Sequence, residues 1–481
     1  MKRALLILTV VLLVIFAGCT NKESEPGKYI TVNGDIEGVS VEVNLSDISK
    51  EEIAIKDTLY KGVRLSKVLE KVSLLAPVDK SYVMITAIDG VSALIDAETA
   101  NLCHVVEVEG VLNIKAPEHP RVVGIKHVLE ITIVAHEDVE ISDENSLKIV
   151  DQEGDRRISF GNCKLLMFEK SGESRQNGNL AVKYVKKAPL KAEEFIGDDF
   201  VLYFDNYDML KVDRDYAGVF VWENGRIYYE TDERYDSPVT GIVTGVDTVI
   251  FDAFDMMKIL LDKNEMVMFI LPDGLSYEQV EYYKDNLTIL SGNYKKAASV
   301  NPAISNVALA AIITGQSPFA TGITKREVKA PNVKDIFEYV VSKGKTASYI
   351  EGNSVLVVTS EKPKLNVANS EGYTDKGVFE TAMYELGKNP DFLFIHFHGI
   401  DDVNHEYSPL SEEAKQKIYE IEGYIKELVK NFYGHVIIVP DHGAVTIEDT
   451  DGTKRGKHSL FKYGDMYVPF YYFERGSLIE E

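Results

Sequence analysis

Three stretches in the C-terminal part of the chain are apolar throughout rather than alternating: EMVMFILPDG (265–274), DFLFIHFHG (391–399) and HVIIVPDHG (435–443). Continuous apolar runs of this length are the pattern of strands buried on both faces, as in a parallel sheet. Between and around them lie segments with helical periodicity, VKDIFEYVVSKG (333–344) and EEAKQKIYEIEGYIKELVKNF (412–432). Buried strands alternating with amphipathic helices predict a three-layer α/β/α sandwich with a mostly parallel sheet, here over residues 264–475. In such sheets, sites gather beyond the carboxyl ends of the strands.

Upstream the pattern is different. SYVMITAIDG (81–90), VLEITIVAH (128–136), DFVLYFDNYD (199–208) and GVFVWENGRIYYE (218–230) read as strands and a hairpin. In LYKGVRLSKVLEKVSLL a turn leads into an amphipathic helix, with Leu65, Val68, Leu69 and Val72 on one face. These signals divide into two β-rich α+β modules, 29–142 and 146–252. Each shows the same order of features, a strand ending in an acidic turn, an EGVLNI- or NGRIYY-type strand, and a PRVVGI- or PVTGIV-type closing strand, which predicts a degenerate tandem repeat. Trp222 and the tyrosines of RIYYE read as strand packing. The pattern YKGVRLSKVLE…ITAIDGVSA…GI faintly resembles the molybdopterin-binding domain of sulfite-oxidase-like proteins. No cysteine stands in that family's metal-binding motif, so the resemblance implies a fold and not a cofactor.

The first residues are neither module nor sheet. Lys2 and Arg3 precede an apolar run from Ala4 to Gly18, short for a membrane span and suited to a secretory signal. It ends Phe16-Ala17-Gly18-Cys19 before the polar TNKESEPGK, and small residues before a cysteine resemble a bacterial lipoprotein processing site. The expectation is a signal peptide over 1–19, lipid on Cys19, a tether over 20–28, and an extracytoplasmic protein held to the membrane by its anchor. Cys103 and Cys163 have no metal-type spacing. Apolar residues make up 45% and charged residues 27%, the mixture of a folded protein, so disorder does not dominate. The net charge of −24 disfavours nucleic acid as a partner. It leaves small anionic substrates open, because a local metal pair outweighs global charge at short range.

Each apolar strand ends in metal-ligand chemistry. The first delivers Asp273; the second leads to Asp401 and His405; the third delivers Asp441 and His442; His458 follows in TKRGKHSLF. Carboxylate oxygens and imidazole nitrogens are the donor set of Zn²⁺ or Mn²⁺. Ser305 precedes the apolar run NVALAAII, which reads as a buried helix, and a hydroxyl at a helix N-terminus meets an incoming anion on favourable terms. His396 and His398 flank Phe397 and share one strand face. They read as a hydrogen-bonded pair, with His398 a candidate substrate contact; Asn306 and Lys457 are further candidates for substrate binding.

These motifs, in this order, resemble the alkaline phosphatase superfamily, in particular its type I phosphodiesterase/nucleotide pyrophosphatase branch. The marks are Pro-Asp-Gly at 272–274, NPAISNVALAAIITGQSPFATGI (301–323), Asp401-Asp402-Val403-Asn404-His405, Asp441-His442-Gly443 and Gly456-Lys457-His458. The resemblance implies two divalent metals, zinc or manganese. Asp401, His405 and His458 would hold one, Asp273, Asp441 and His442 the other, with Ser305 between them as a further metal ligand. Ser305 is assigned as nucleophile by counting nine residues back from Thr314; a register that places Ala303 there needs a gap. The branch usually has Thr at the nucleophile and Asn three residues later, where this chain has Ser305 and Ala308. Ser305 is followed by neither the Pro nor the Arg of sulfatases. The implied activity is hydrolysis of small phosphate esters through a phospho-serine. The alternatives are a phosphomonoesterase or another transferase of the superfamily, or a surface binding lipoprotein with a spent catalytic domain. No feature of the sequence speaks to oligomeric state.

Overall fold

The computed structural model describes residues 28–474, apart from 118–120, 188–189, 193–195, 197, 217 and 233. The predicted signal peptide, Cys19 and most of the tether lie outside the described residues. Among those described, no helix is long and apolar enough to cross a membrane.

The described residues form two compact units, one within 1–141 and 159–188, the other within 142–158 and 189–481. This division corrects the sequence-based boundaries. The stretch 146–252 is not one module, because residues 159–188 return to the first unit. The return has a physical cause. The buried carboxylate of Asp35 accepts hydrogen bonds from Ser159 Oγ at 2.8 Å, Gly161 N at 2.8 Å and Ala135 N at 2.7 Å. That fixes the start of the helix Phe160–Leu166, and the hairpin Phe168–Gln176/Asn179–Lys186 then adds two strands to the first unit's sheet. The helix read over 65–72 is shorter than its pattern, Leu65–Leu69.

In the first unit five strands run 91–96, 81–87, 128–135, 29–34, 40–44 across the sheet, with 29–34 parallel to 128–135. In the second unit five strands run 209–212, 200–204, 239–244, 146–151, 154–159, with 146–151 parallel to 239–244. The two sheets thus have one strand order, the topology a duplicated module would have.

The second unit also holds a three-stranded sheet, a two-stranded hairpin and, as its main body, an eight-stranded sheet. Its strands are β1 (Thr248–Val249), β2 (Val267–Pro272), β3 (Tyr294–Ala298), β4 (Ala347–Glu351), β5 (Lys364–Leu365), β6 (Phe392–Phe397), β7 (His435–Ile438) and β8 (Tyr467–Phe473), in the order β1-β3-β8-β7-β2-β6-β4-β5. Every pairing is parallel except the two made by β8. Helices α1 (Asp252–Asp262), α2 (Tyr277–Tyr283), α3 (Ser305–Thr314), α4 (Ile336–Ser342), α5 (Asp375–Leu386), α6 (Gly399–Tyr407) and α7 (Glu412–Lys430) cover it. The alternation along β2 separates the two faces. Val267, Phe269 and Leu271 pack with α1, α3 and α4, while Met268 and Ile270 pack with α2, α5 and α7. This is the expected three-layer sandwich. It begins earlier than residue 264, because β1 and α1 belong to it.

The five-stranded sheet of this unit packs on the same body. Val150, Val201, Tyr203 and Val243 share a core with Ala303, Phe461, Met466 and Tyr467. Tyr203 donates from its hydroxyl to Ser299 O at 2.7 Å, just before the segment 301–323.

Candidate active site

The carboxyl ends of β2, β6 and β7 lie side by side, since β2 pairs with β6 on one edge and β7 on the other. Three adjacent strand ends therefore present Asp273, the turn into α6, and Asp441-His442 at one place. Gly274 makes the first turn possible. Its φ is +76°, and a Cβ there would lie 2.7 Å from Asp401 Cβ. A left-handed conformation with no side chain is what glycine supplies, and here it brings α6 directly over Asp273.

Seven predicted residues converge. Ser305 Oγ is 3.2 Å from His442 Nε2. His442 Nε2 is 3.4 Å from Asp441 Oδ2 and 3.7 Å from Asp273 Oδ1. Asp401, His442 and His458 form a group whose ligand atoms lie within 4.8 Å of one another, as do Asp273, Asp441 and His442. The second trio matches the implied one. In the first, His442 stands where His405 was expected. His405 is next to it, with Nε2 at 3.3 Å from Asp401 Oδ2 and its ring 5.0 Å from that of His458, on the more open side.

Two observations show that these residues suit cations. Asp273 Oδ1, Asp401 Oδ1 and Asp441 Oδ2 are buried without a hydrogen-bond partner. Unpartnered buried carboxylate oxygens are costly unless a cation meets them. Further, each imidazole has its Nδ1 on a backbone carbonyl: His405 on Gly456 O at 3.0 Å, His442 on Gly443 O at 3.0 Å and His458 on Ala303 O at 2.6 Å. An N–H donated there fixes the tautomer and leaves Nε2 as the free donor atom, the arrangement typical of metal-bound histidine.

The electrostatics agree. Burial opposes charging His442, yet the carboxylates of Asp441, Asp401 and Asp273 overcome it and lift its pKa to about 9. Burial, with the neighbouring charge of Asp273, pushes Asp441 up. Burial and the nearby His442 push His458 down. Burial and the charge of Asp401 raise Asp402 to about 6, with His398 opposing them. Such a crowd of carboxylates favours positive charge at its centre.

Ser305 is the first residue of α3, and Ile304 is the N-cap with no side-chain capping bond. The hydroxyl therefore does no capping and faces His442 instead. Ala303, the nucleophile position of the other register, has no reactive group, and its carbonyl holds His458. Asn306 is buried, with its Oδ1 lacking a hydrogen-bond partner. Its amide donates to Lys325 O at 3.1 Å and Val328 O at 2.8 Å, pinning the loop beyond residue 323. Lys457 ends an exposed hairpin strand, Lys454–Lys457.

His396 and His398 are joined to the site through Asp273 and to each other through Glu351, a residue the sequence reading did not single out. Glu351 ends β4 as Asp273 follows β2, and TASYIEG (346–352) carried the same mark of an apolar strand ending in acid and glycine.

Residues 370–459 match the family model described as Type I phosphodiesterase / nucleotide pyrophosphatase. The match contains Asp401, His405, Asp441, His442 and His458; Asp273 and Ser305 lie before it. This segment is therefore similar to the type I phosphodiesterases and nucleotide pyrophosphatases, the branch whose motifs the sequence resembles. The match does not reach the N-terminal modules. Among curated proteins none matches the chain. Among solved structures, phosphonoacetate hydrolase from Sinorhizobium meliloti 1021, in complex with phosphonoformate, is similar at 17% identity over 40% of this chain and 59% of its own, with a TM-score of 0.33. Murine ectonucleotide pyrophosphatase / phosphodiesterase 5 is similar at 14% identity over 39% of this chain and 59% of its own, with a TM-score of 0.32. The chain thus spans well under two thirds of either structure, and at these values neither adds to the fold described above.

Proposed function

We propose that this protein is a two-metal phosphoric ester hydrolase of the phosphodiesterase/pyrophosphatase type, acting on small phosphate esters through a phospho-serine. The observation that carries the reading is the set of three imidazoles tethered at Nδ1 around three buried carboxylates with unpartnered oxygens, with Ser305 Oγ at 3.2 Å from the shared His442. Asp273, Asp441 and His442 would hold one ion, and Asp401 and His458, with His405 and His442 beside them, the other. Bound divalent metals, zinc by donor chemistry, with manganese the alternative, lower the pKa of a hydroxyl and offset charge on phosphoryl oxygens.

Ser305 Oγ, its proton lost to solvent, forms the new O–P bond as the ester P–O bond breaks. The leaving oxygen takes a proton from water. A second water then attacks the phosphoryl group and restores the serine hydroxyl. The N-terminal end of α3 adds a favourable dipole for the incoming anion. The oxygens of Asp273, Asp401 and Asp441 that lack protein partners keep the pocket unsuited to anions until cations fill it. Activity should therefore vanish on chelation and return with zinc or manganese. Aryl phosphomonoester, aryl phosphodiester and nucleotide pyrophosphate, assayed side by side, rank the reading against a monoesterase. A purified chain that binds no divalent metal and turns over none of the three would refute it and favour a binding protein.

We place the enzyme outside the cytoplasm on the strength of the Ala17-Gly18-Cys19 pattern. Cys19→Ala should move the protein from the membrane fraction to the soluble one; an unchanged distribution would overturn the lipid anchor.

A further inference from the structure

Behind Asp273 stands a closed ring of four side chains that the proposed chemistry does not use. The sheet builds it. β6 lies between β2 and β4, with Leu271 opposite His396 and Ile350 opposite Ile395. Asp273 and Glu351 therefore emerge on either side of β6, and His396 and His398 bridge them. His396 gives Nε2 to Asp273 Oδ2 at 3.2 Å and Nδ1 to Glu351 Oε2 at 3.0 Å. His398 sets Nδ1 3.3 Å from the same Asp273 Oδ2, and its Nε2 meets Glu351 Oε1. The two rings lie almost one on the other, with centroids 3.9 Å apart.

Glu351 is fixed in turn. The hydroxyl of Tyr349 donates to Oε2, and Gly352 N donates to Oε1 at 2.8 Å. Gly352 also leaves room for the ring, since a Cβ there would sit 2.7 Å from His398 Cδ2. Asp273, Glu351 and His396 are all buried, and His398 is 19% exposed. Every oxygen in the ring has a partner except one, Asp273 Oδ1, which faces the site.

We infer that Glu351, His396 and His398 are positioning residues that lock the carboxylate of Asp273 about its terminal torsion, so that Oδ2 is held in the ring and Oδ1 is presented to a metal. Carboxylate terminal torsions are broad, and a ligand free to rotate binds less tightly than one held by neighbours. Loss of such outer partners typically costs about 10–100-fold in metal affinity. The inference rests on the reading of Asp273 as a metal ligand.

The test uses the metal-free full-length chain titrated with Zn²⁺ against a chromophoric chelator, read as equivalents bound and affinity of each. The native chain should bind two equivalents. Asp273→Asn should lose one of them, and an unchanged titration of that variant would sink the ligand reading itself. Glu351→Gln, equal in shape, and His398→Asn, at the least buried member, should keep two equivalents with one weakened about 10–100-fold and no matching loss in melting temperature. Native affinities in both variants, each folded, would overturn the inference. So would three equivalents in the native chain with one lost in His398→Asn, because the ring would then be an ion site. If Glu351→Gln fails to fold, His398→Asn alone decides between these results.

Discussion

Removing the hydroxyl of Ser305 separates chemistry from stability unusually well. A serine at a helix start often caps it, and losing a cap costs about 1 kcal/mol. Here Ile304 is the N-cap and Ser305 makes no capping bond, so that cost does not arise. What Ser305→Ala removes is one polar contact, Oγ to His442 Nε2 at 3.2 Å. A hydrogen bond of this kind contributes about 0.5–1.5 kcal/mol. In a domain of a few hundred residues each kcal/mol moves the melting temperature by about 2–4 °C. The variant should therefore melt within about 6 °C of the native protein and still take up divalent metal. Its kcat/KM on an aryl phosphodiester should fall by at least about 10³, some 4 kcal/mol of transition-state stabilisation. Ser305→Thr keeps a hydroxyl at the same atom and should retain measurable turnover. Rapid quenching should trap phosphate on the native chain and none on Ser305→Ala. Native turnover in Ser305→Ala, with its metals in place, would refute the nucleophile and the phospho-serine together.

Three further perturbations test separate parts of the structure. Gly274→Ala places a Cβ 2.7 Å from Asp401 Cβ at a φ of +76°; the left-handed conformation alone costs about 1–2 kcal/mol, so the variant should melt lower and hold less metal, and native metal content would contradict the close approach of α6 to Asp273. Asn306→Ala removes the side-chain donor to the carbonyls of Lys325 and Val328, leaving Lys325 O with the Val328 N–H; it should lower stability by about 1–3 kcal/mol and speed tryptic cleavage after Lys325 and Arg326, and an unchanged digestion pattern would show that the loop is held otherwise. Cys103 and Cys163 are buried thiols, and burial pushes that of Cys103 up to about 12; both should ignore a thiol reagent until the protein is denatured, and labelling of Cys103 in the folded protein would refute that burial.

What could be read from the sequence depended on whether a signal was local. EMVMFILPDG, DFLFIHFHG and HVIIVPDHG are apolar because each strand is buried on two faces, and that leaves its trace in consecutive residues; the sandwich and its strand-end acids followed. Ser305 was found by its spacing from Thr314-Gly315, and the structure puts its hydroxyl at His442. The remainder depended on neighbours that sequence distance hides. The return of residues 159–188 to the first unit is driven by Asp35, more than a hundred residues earlier, and no periodicity between 146 and 252 records it. The place of His442 in both groups that could hold a metal follows from β7 lying beside β2, a fact of strand order. Glu351 is the clearest case. Its strand end bore the same pattern as the others, but nothing distinguished it until β4 was known to flank β6, whose histidines then connect it to Asp273. A residue two strands from Asp273 thus reaches it through the register of the sheet. The same reasoning makes His396 and His398 parts of one device rather than a coincidental pair: His396 lies in β6, His398 caps the helix that follows it, and the strand ends that flank β6 are those of β2 and β4.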